Sequence, residues 1–564
     1  MVDSPLFPAL NALFSRLDPQ WDMQCSAALG ELMQAQLSGH VCWPLAGAAA
    51  RRLAASPLTG WPGSYTPLIQ DAGGMFYLAR NWHEEQQLAV ALRARAAGRD
   101  TPPVAELASW LERLFPGDGR TDRQRLAAAL ALRQRLLVIS GGPGTGKTTT
   151  VVRILALLAA LAPRPPLMGL AAPTGKAAAR LSDSMRSAIG ALPVDATLRA
   201  ALPVEAMTLH RLLGVRPGGG GARHDARHPL PLDVLVVDEA SMIDQALMVQ
   251  TIEALPAHAR LILLGDRDQL APVEAGAVLG EICRVVGYQP DTLAWLSSLG
   301  FDPAALGLAA ADADAPLADV VALLTQSHRF AADSGIGALS RATNGGEATV
   351  ACALLRDSDW ADLHWRVALD AGELAARRDG YLQAVADGAG ADRLQQLFVA
   401  FMPLVAERRQ LAQINSLVEA EMERRRLKSP DAVWYPGRPV MIVANDYALG
   451  LFNGDIGFTV LRDGQLRVLF PSAGEGWREI APARLPAHET VFAMTVHKSQ
   501  GSEFDEVWLI LPEVATMIDR ALVYTAVTRA RSRFGLIGPL EMLAQAIGQL
   551  AQRHSGLAGK IHFS

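Results

Sequence analysis

Cysteine is scarce: the 564 residues hold four, at Cys25, Cys42, Cys283 and Cys352. No two stand at C-x-x-C spacing, which argues against a zinc ribbon or a dithiol redox motif. Reduced, half-buried thiols of a cytoplasmic chain are the expectation. A surplus of one charge is also missing. The 52 Lys and Arg face 57 Asp and Glu, for a formal net charge of −5. That excludes a histone-like polycation and argues against holding nucleic acid by bulk charge, while leaving room for a local basic groove. Charged residues make up only 19% and hydrophobic ones 50%, which excludes a wholly disordered chain. The 49 glycines follow no fixed period, so a collagen-like repeat is excluded. Long apolar runs are absent too. The run Val151–Ala162 is broken by Arg153 and stopped by Pro163, too short to span a bilayer. The opening MVDSPLFPAL has no basic stretch followed by an apolar core, so no secretory signal is expected.

What is present is an ordered series of elements long enough for several domains. Residues 1–116 carry helical periodicity at Ala27–Leu37 and Gln86–Ala97, several tryptophans and no phosphate loop. Pro116-Gly117-Asp118-Gly119 marks a boundary. From Gln124 short apolar strands alternate with helices: strands at Leu136–Ser140, Leu167–Ala172, Val234–Asp238 and Arg260–Gly265, with a helix at Gly175–Ile189. This predicts an α/β fold with a parallel sheet covered on both faces. After the Ala/Asp/Pro-rich stretch Asp302–Ala318 the alternation resumes. Strands are expected at Leu397–Phe401, Thr490–Val496, Glu506–Leu511 and Phe534–Ile537, and helices at Val405–Arg426 and Ile518–Arg529. Near 440–486, turns at Asn453-Gly454 and Asp463-Gly464 indicate a small β insertion. The expected division is 1–116, 117–300 and 301–564.

The strongest motif is Gly141-Gly142-Pro143-Gly144-Thr145-Gly146-Lys147-Thr148, between a predicted strand and a predicted helix. Such glycines let backbone amides wrap phosphate oxygens. Lys147 then supplies a positive charge to the β- and γ-phosphates, and Thr148 offers a hydroxyl to Mg²⁺. Ninety residues on (roughly, by the usual spacing of such pairs), Asp238-Glu239 ends an apolar strand. Asp238 is suited to hold Mg²⁺ through water, and Glu239 to orient the attacking water. No acidic cluster with the look of a nuclease centre accompanies them.

The segments GGPGTGKTTT, AAPTGKAAARL, VVDEASMID, GDRDQLAPVEAG and TVHKSQGSEFDEV, in that order, resemble superfamily 1 helicases. Within them they resemble the RecD family, the alpha subunits of exodeoxyribonuclease V. Gly39-His40-Val41-Cys42-Trp43-Pro44-Leu45 is similar to that family's partner-contacting region, so the likeness covers nearly the whole chain. The resemblance implies two RecA-like motor cores, a mainly helical N-terminal domain, an SH3-like β insertion and a pin-like insertion near 212–231. ATP and Mg²⁺ are implied as cofactors, with Thr149 joining the phosphate loop and Gln124 reading adenine. Gln269 is implied as γ-phosphate sensor, and Arg329 and Arg529 as arginine fingers from the second core. Pro173, Thr174, Thr208, His210, Thr495, His497 and Lys498 fall where such helicases touch single-stranded DNA. The implied activity is 5′→3′ helicase and translocase action on the 5′-ended strand at duplex ends. The implied setting is a heterotrimer with RecB-like and RecC-like subunits that serves recombination repair. Two other readings stay open. One is a free-standing RecD-like helicase, whose relatives carry a longer region before the phosphate loop than the 140 residues present here. The other is a scaffold with a dead nucleotide site, against which the intact motif residues weigh.

Overall fold

The computed structural model describes all residues except 1–5, 118–121, 217–220, 285, 313–314, 331–332, 447, 473–475, 513–517 and 564. The glycine run at 217–220, part of the expected pin-like insertion, therefore lies outside the described residues, as does the second half of the expected boundary loop, 118–119.

The first part of the chain packs helices against a three-stranded sheet of β1 (Thr59–Gly60), β2 (Leu68–Gln70) and β3 (Phe76–Leu78). Next comes a six-stranded parallel sheet of β4 (Leu136–Gly141), β5 (Met168–Ala172), β6 (Ala206–Thr208), β7 (Val234–Val237), β8 (Arg260–Gly265) and β9 (Val321–Leu324). Its order is β6-β5-β7-β8-β4-β9. These strands read as unbroken apolar runs because both faces are covered. Successive side chains point to opposite faces. Leu137 and Ile139 thus enter one core with Val236, Ile262 and Leu264, while Leu136 and Val138 enter the other with Leu235, Val237 and Leu263.

The second parallel sheet contains β10 (Leu363–Arg366) and β11 (Phe401–Val405). Between β11 and its remaining strands the chain makes an antiparallel sheet of β12 (Pro439–Ile442), β13 (Ile456–Arg462), β14 (Gln465–Pro471), β15 (Trp477–Ile480) and β16 (His488–Thr490). It then returns as β17 (Met494–Thr495), β18 (Phe504–Ile510) and β19 (Ala530–Ile537), completing the parallel order β10-β19-β18-β11-β17. Trp508, fully buried on β18, anchors this core with Phe401 packed edge-on at 5.0 Å between ring centres. The protein is thus a mixed α/β chain with two parallel sheets. No described helix is long and apolar enough to cross a membrane.

Three expectations need correction. The strand expected at Leu397–Phe401 is mostly helix, Ala391–Val399, and the strand is Phe401–Val405. The helix expected from Val405 begins only at Arg409. The first sheet also reaches past residue 300, because β9 pairs with β4, Val138 opposite Val321. Arg329 accordingly follows a strand of the first sheet rather than arising within the second.

The end of the chain runs back over the first half. The carbonyl of His554 accepts Val41 N–H at 2.9 Å, and the helix Leu557–Phe563 packs Leu557 and Ile561 beside Leu88 and Leu92. Glu85 is fully buried and accepts Lys560 Nζ at 2.6 Å, Ser555 Oγ at 2.8 Å and Gly556 N–H at 2.9 Å. The Lys560 ammonium also lies 4.6 Å from the Tyr77 ring centre. A buried charge is tolerated when it is paired this fully.

A nearby acid is less well served. Glu281 is buried, its Oε2 has no partner among the described residues, and its ion pair with Arg284 at 3.0 Å reaches an exposed guanidinium. Burial pushes its carboxyl up to about 7, against Arg284 and with help from the Glu85 charge. A raised acid favours the folded state fully below its ordinary value of 4.5 and loses that contribution as pH rises through about 7. Glu281→Gln should therefore stabilise the protein at pH 8, by about 1–3 kcal/mol, with the gain closing by about pH 4.5. Thermal unfolding of both proteins across that range checks it, and an equal gain at both ends would contradict it.

Candidate functional site

The glycine loop leaves the carboxyl end of β4, in the interior of the first sheet, and feeds the helix Lys147–Leu161. Gly144 and Gly146 have φ of +75° and +79°, a left-handed conformation that glycine adopts at little cost. Thr145 Oγ1 donates to the Gly142 carbonyl at 2.8 Å and closes the loop. Gln124 Nε2 donates to the Thr145 carbonyl at 3.0 Å, and a Cβ on Gly146 would collide with that amide. Lys147 Nζ folds back onto the carbonyls of Gly141 at 2.5 Å and Gly142 at 3.2 Å. Thr148 and Thr149 occupy the first helical turn and line a cavity of about 620 Å³ with Arg153, Asp183 and Ser184. Pro143 accepts Ser327 Oγ at 3.0 Å, and Gly144 accepts His328 N–H at 2.8 Å.

The acidic pair stands one sheet position beyond β8. Asp238 follows β7, and its Oδ1 accepts Glu239 N–H at 2.9 Å. Glu239 has φ of +51°, strained for a residue with a side chain. Burial and then the Glu239 charge push the Asp238 carboxyl up to about 6, with Lys147 opposing. Gln269 is buried after β8. Its Nε2 donates to Asp266 Oδ2 at 3.1 Å, while its Oε1 has no partner among the described residues.

Across the cleft the second half supplies Tyr524, Thr525, Gln500 and Glu503, which the sequence reading quoted within motifs but gave no role, beside the two expected arginines. Tyr524 donates its hydroxyl to Asp266 Oδ2 at 3.0 Å and lies 2.9 Å from where a Cβ on Gly142 would sit. Thr525 Oγ1 accepts Leu270 N–H at 3.0 Å, and Gln500 Nε2 donates to the Leu270 carbonyl at 3.0 Å. Arg329 has its backbone against Gly144, donates from Nη2 to Glu503 Oε1 at 2.6 Å, and leaves Nη1 buried without a partner among the described residues. Arg529 is buried, with Nη1 donating to the Ser502 carbonyl at 3.2 Å; the charges of Glu239 and Glu503 both act on it. Their location in contiguous motifs was the only sequence signal for Tyr524 and Glu503.

The donor set fits a polyphosphate. Lys147 reaches back over the loop, the backbone of Arg329 rests against it, and the loop itself carries no carboxylate. Thr148 and Asp238 are hard oxygen donors of the kind Mg²⁺ takes.

The candidate DNA contacts form two groups. Pro173 and Thr174 follow β5, and Thr208 ends the neighbouring strand β6, with Ala172 opposite Thr208. Thr174 caps the helix Gly175–Gly190 by accepting Ala177 N–H at 3.2 Å. Thr208 caps the helix Leu209–Leu213, on which His210 is exposed. Phe452, from the loop between β12 and β13, packs on Gly175. Thr495, His497 and Lys498 lie at the end of β17. There Thr495 Oγ1 accepts Lys498 N–H at 3.3 Å, and Lys498 Nζ pairs with Glu489 at 2.6 Å. His497 is half-buried, and desolvation lowers its imidazole below the ordinary value.

The chain matches the model of an AAA domain over residues 124–275 and of a UvrD-like helicase C-terminal domain over 490–537. It is similar to the RecBCD enzyme subunit RecD of Mycobacterium tuberculosis, 38% identical over 94% of this chain and 88% of the relative. The chain belongs to the RecD family. The RecBCD enzyme subunit RecD of Haemophilus influenzae is 37% identical over 86% of this chain and 80% of its own length. The ATP-dependent RecD2 DNA helicase of Deinococcus radiodurans is 32% identical over 82% of this chain but 55% of its own. Among solved structures, the Pif1 helicase from Candida albicans covers 75% of this chain and 95% of its own, with 15% identity and a TM-score of 0.40. As the AAA domain implies, the RecD-family glycine loop is a nucleotide site.

Proposed function

We propose that this RecD-family chain is an ATP-driven 5′→3′ DNA helicase. It acts in the cytoplasm as one subunit of a RecBCD enzyme, beside RecB-like and RecC-like chains, on the 5′-ended strand at duplex ends. The observation that carries the reading is the cleft itself. A glycine loop with Lys147 is faced by Gln269, by Arg329 over the loop and by Arg529 from the second sheet. Identity to RecD subunits over 88% of their length favours the subunit reading over the free-standing one, whose relative is matched over 55%.

The roles divide along the cleft. Residues Gly141 to Thr149 hold the phosphates, with Lys147 as the positive charge, and Gln124 sits beside the base. Thr148 and Asp238 would hold Mg²⁺, which neutralises phosphate charge when bound. Glu239 orients the attacking water, and Gln269 reports the γ-phosphate. Closing the cleft around ATP brings Arg529 onto the transferred phosphoryl group, and hydrolysis reopens it. The two sheets grip the strand alternately through Pro173, Thr174, Thr208 and His210 on one side and Thr495, His497 and Lys498 on the other. We place the divide between the motor halves after β9, near residue 325, and read residues 1–116 as the partner-contacting domain. Exposed Leu13, Leu17, Met23, Trp61 and Tyr65 supply an apolar surface there. The antiparallel sheet, near 440–486, is the SH3-like element that steadies the strand through Phe452.

The test is co-purification from the native cell, followed by strand displacement on duplexes with a single 5′ or 3′ overhang. Two large partners and unwinding from the 5′ overhang are expected. Unwinding from the 3′ overhang by this chain alone would overturn the polarity, and an active lone monomer would select the free-standing reading.

A further inference from the structure

One carboxylate in this cleft collects more cations than any pairing rule requires. Glu503 Oε1 accepts from Arg180 and from Arg329 Nη2 at 2.6 Å, and Oε2 accepts Arg531 Nε at 3.3 Å. The residues beside it are gripped as well. Lys176 Nζ donates to Ser502 Oγ at 2.6 Å, and Arg180 Nη1 donates to the Gly501 carbonyl at 3.1 Å. Lys176 and Arg180 share the helix Gly175–Gly190 of the first half, so the segment 501–503 is where that helix holds the second half. Burial alone would raise the Glu503 carboxyl; Arg180 and Arg329 outweigh it and hold the group down at about 2. Glu503 is thus a fixed negative charge.

Its place matters because of Arg329. The backbone of that residue is pinned to the glycine loop through Ser327 and His328, yet its guanidinium turns to Glu503 and leaves Nη1 unsatisfied among the described residues. Arg180 in turn lies within the field of Glu239 and Asp238. The same arginines therefore link this carboxylate to the glycine loop and to the acid pair.

We propose that Glu503 is a positioning residue that competes with the γ-phosphate for Arg329, so that the protein distinguishes nucleoside triphosphate from diphosphate by whether this carboxylate is displaced. A γ-phosphate carries more charge and more acceptor oxygens than a carboxylate and takes Arg329; Glu503 keeps Arg531 and Arg180. A diphosphate ends one phosphate short and leaves the Glu503–Arg329 pair intact. Triphosphate arrival in this way exchanges the partner of Arg329, while the Arg180–Glu503 contact between the two halves persists. The inference rests on the nucleotide-site reading above.

The test is titration of the full chain with a fluorescent non-hydrolysable ATP analogue and with the matching ADP analogue. Glu503→Gln should tighten the triphosphate about tenfold, the usual weight of one charge-assisted bond, and leave the diphosphate within about twofold. Equal shifts for both ligands, or a triphosphate that binds no tighter, overturn the proposal. Failure of the parent protein to bind either ligand would instead overturn the nucleotide-site reading. Should Glu503→Gln not fold, Glu503→Asp carries the test. It keeps the charge but withdraws it by one methylene, and a rise of about threefold in triphosphate preference is expected. No rise overturns the proposal.

Discussion

Lys147→Gln is expected to abolish DNA-stimulated ATP hydrolysis, by about 10³-fold or more, while leaving the fold intact. The fold should survive because Lys147 contributes little to it. Among the described residues its ammonium donates to the carbonyls of Gly141 and Gly142, and its side chain is half-buried at the first position of a helix. Glutamine is nearly as good a helix former, and the lost bonds are worth about 1 kcal/mol each. Function should not survive. Among the described residues Lys147 is the one cation whose ammonium reaches the loop carbonyls, so phosphate charge building toward the transition state should find no substitute there. The Lys147 charge also opposes the upward shift of Asp238. Its removal should leave that acid protonated to higher pH and weaken metal binding further. An ATPase assay with single-stranded DNA, beside a circular-dichroism melt, checks both halves. Retained turnover would place the nucleotide elsewhere.

How far the sequence carries depends on whether a feature is local. The glycine loop, Lys147, Thr148 and the Asp238–Glu239 pair stood out because each lies in a contiguous segment at the end of an apolar strand. The strand β7, Val234–Val237, is wholly buried, and its pattern says so. The misplaced strand at Leu397–Phe401 has an equally plain cause. The apolar residues of LFVAFMPLV run unbroken from the end of a helix into β11, so periodicity offers no boundary. Four-residue β9 was missed because an edge strand after a long loop carries almost no pattern, and its membership in the first sheet is fixed only by pairing with β4. The same limit hid the site's long-range members. Glu503 gains its meaning from Arg180, more than 300 positions earlier, and Tyr524 from Asp266, 258 positions away. Thr174 and Thr208 show the opposite difficulty. Both are helix caps, and the local geometry is the same whether or not a strand of DNA lies on them.

Arg529→Lys should lower the rate of ATP hydrolysis by about 10²–10³-fold while changing nucleotide affinity only a few-fold. Arg529 is buried, and burial lowers its pKa while the Glu239 and Glu503 charges favour its charged form. Its guanidinium is held by backbone carbonyls, those of Ser502 at 3.2 Å and Thr525 at 3.3 Å, rather than by a carboxylate. A cation held by neutral acceptors next to the acid pair costs little to redirect when the cleft closes. Lysine keeps the charge but loses the planar fork whose separate nitrogens reach the Thr525 and Ser502 carbonyls and leave Nη2 for a phosphoryl oxygen. The loss should therefore fall on the transition state, where charge on the transferred group is largest, and not on ground-state binding. Single-turnover hydrolysis and nucleotide titration separate the two. A large fall in affinity with an unchanged rate would make Arg529 a ground-state ligand. The contrast with Glu503→Gln is then diagnostic. Removing the competing carboxylate should tighten triphosphate binding through Arg329, whereas weakening Arg529 should leave binding nearly alone and slow the chemistry.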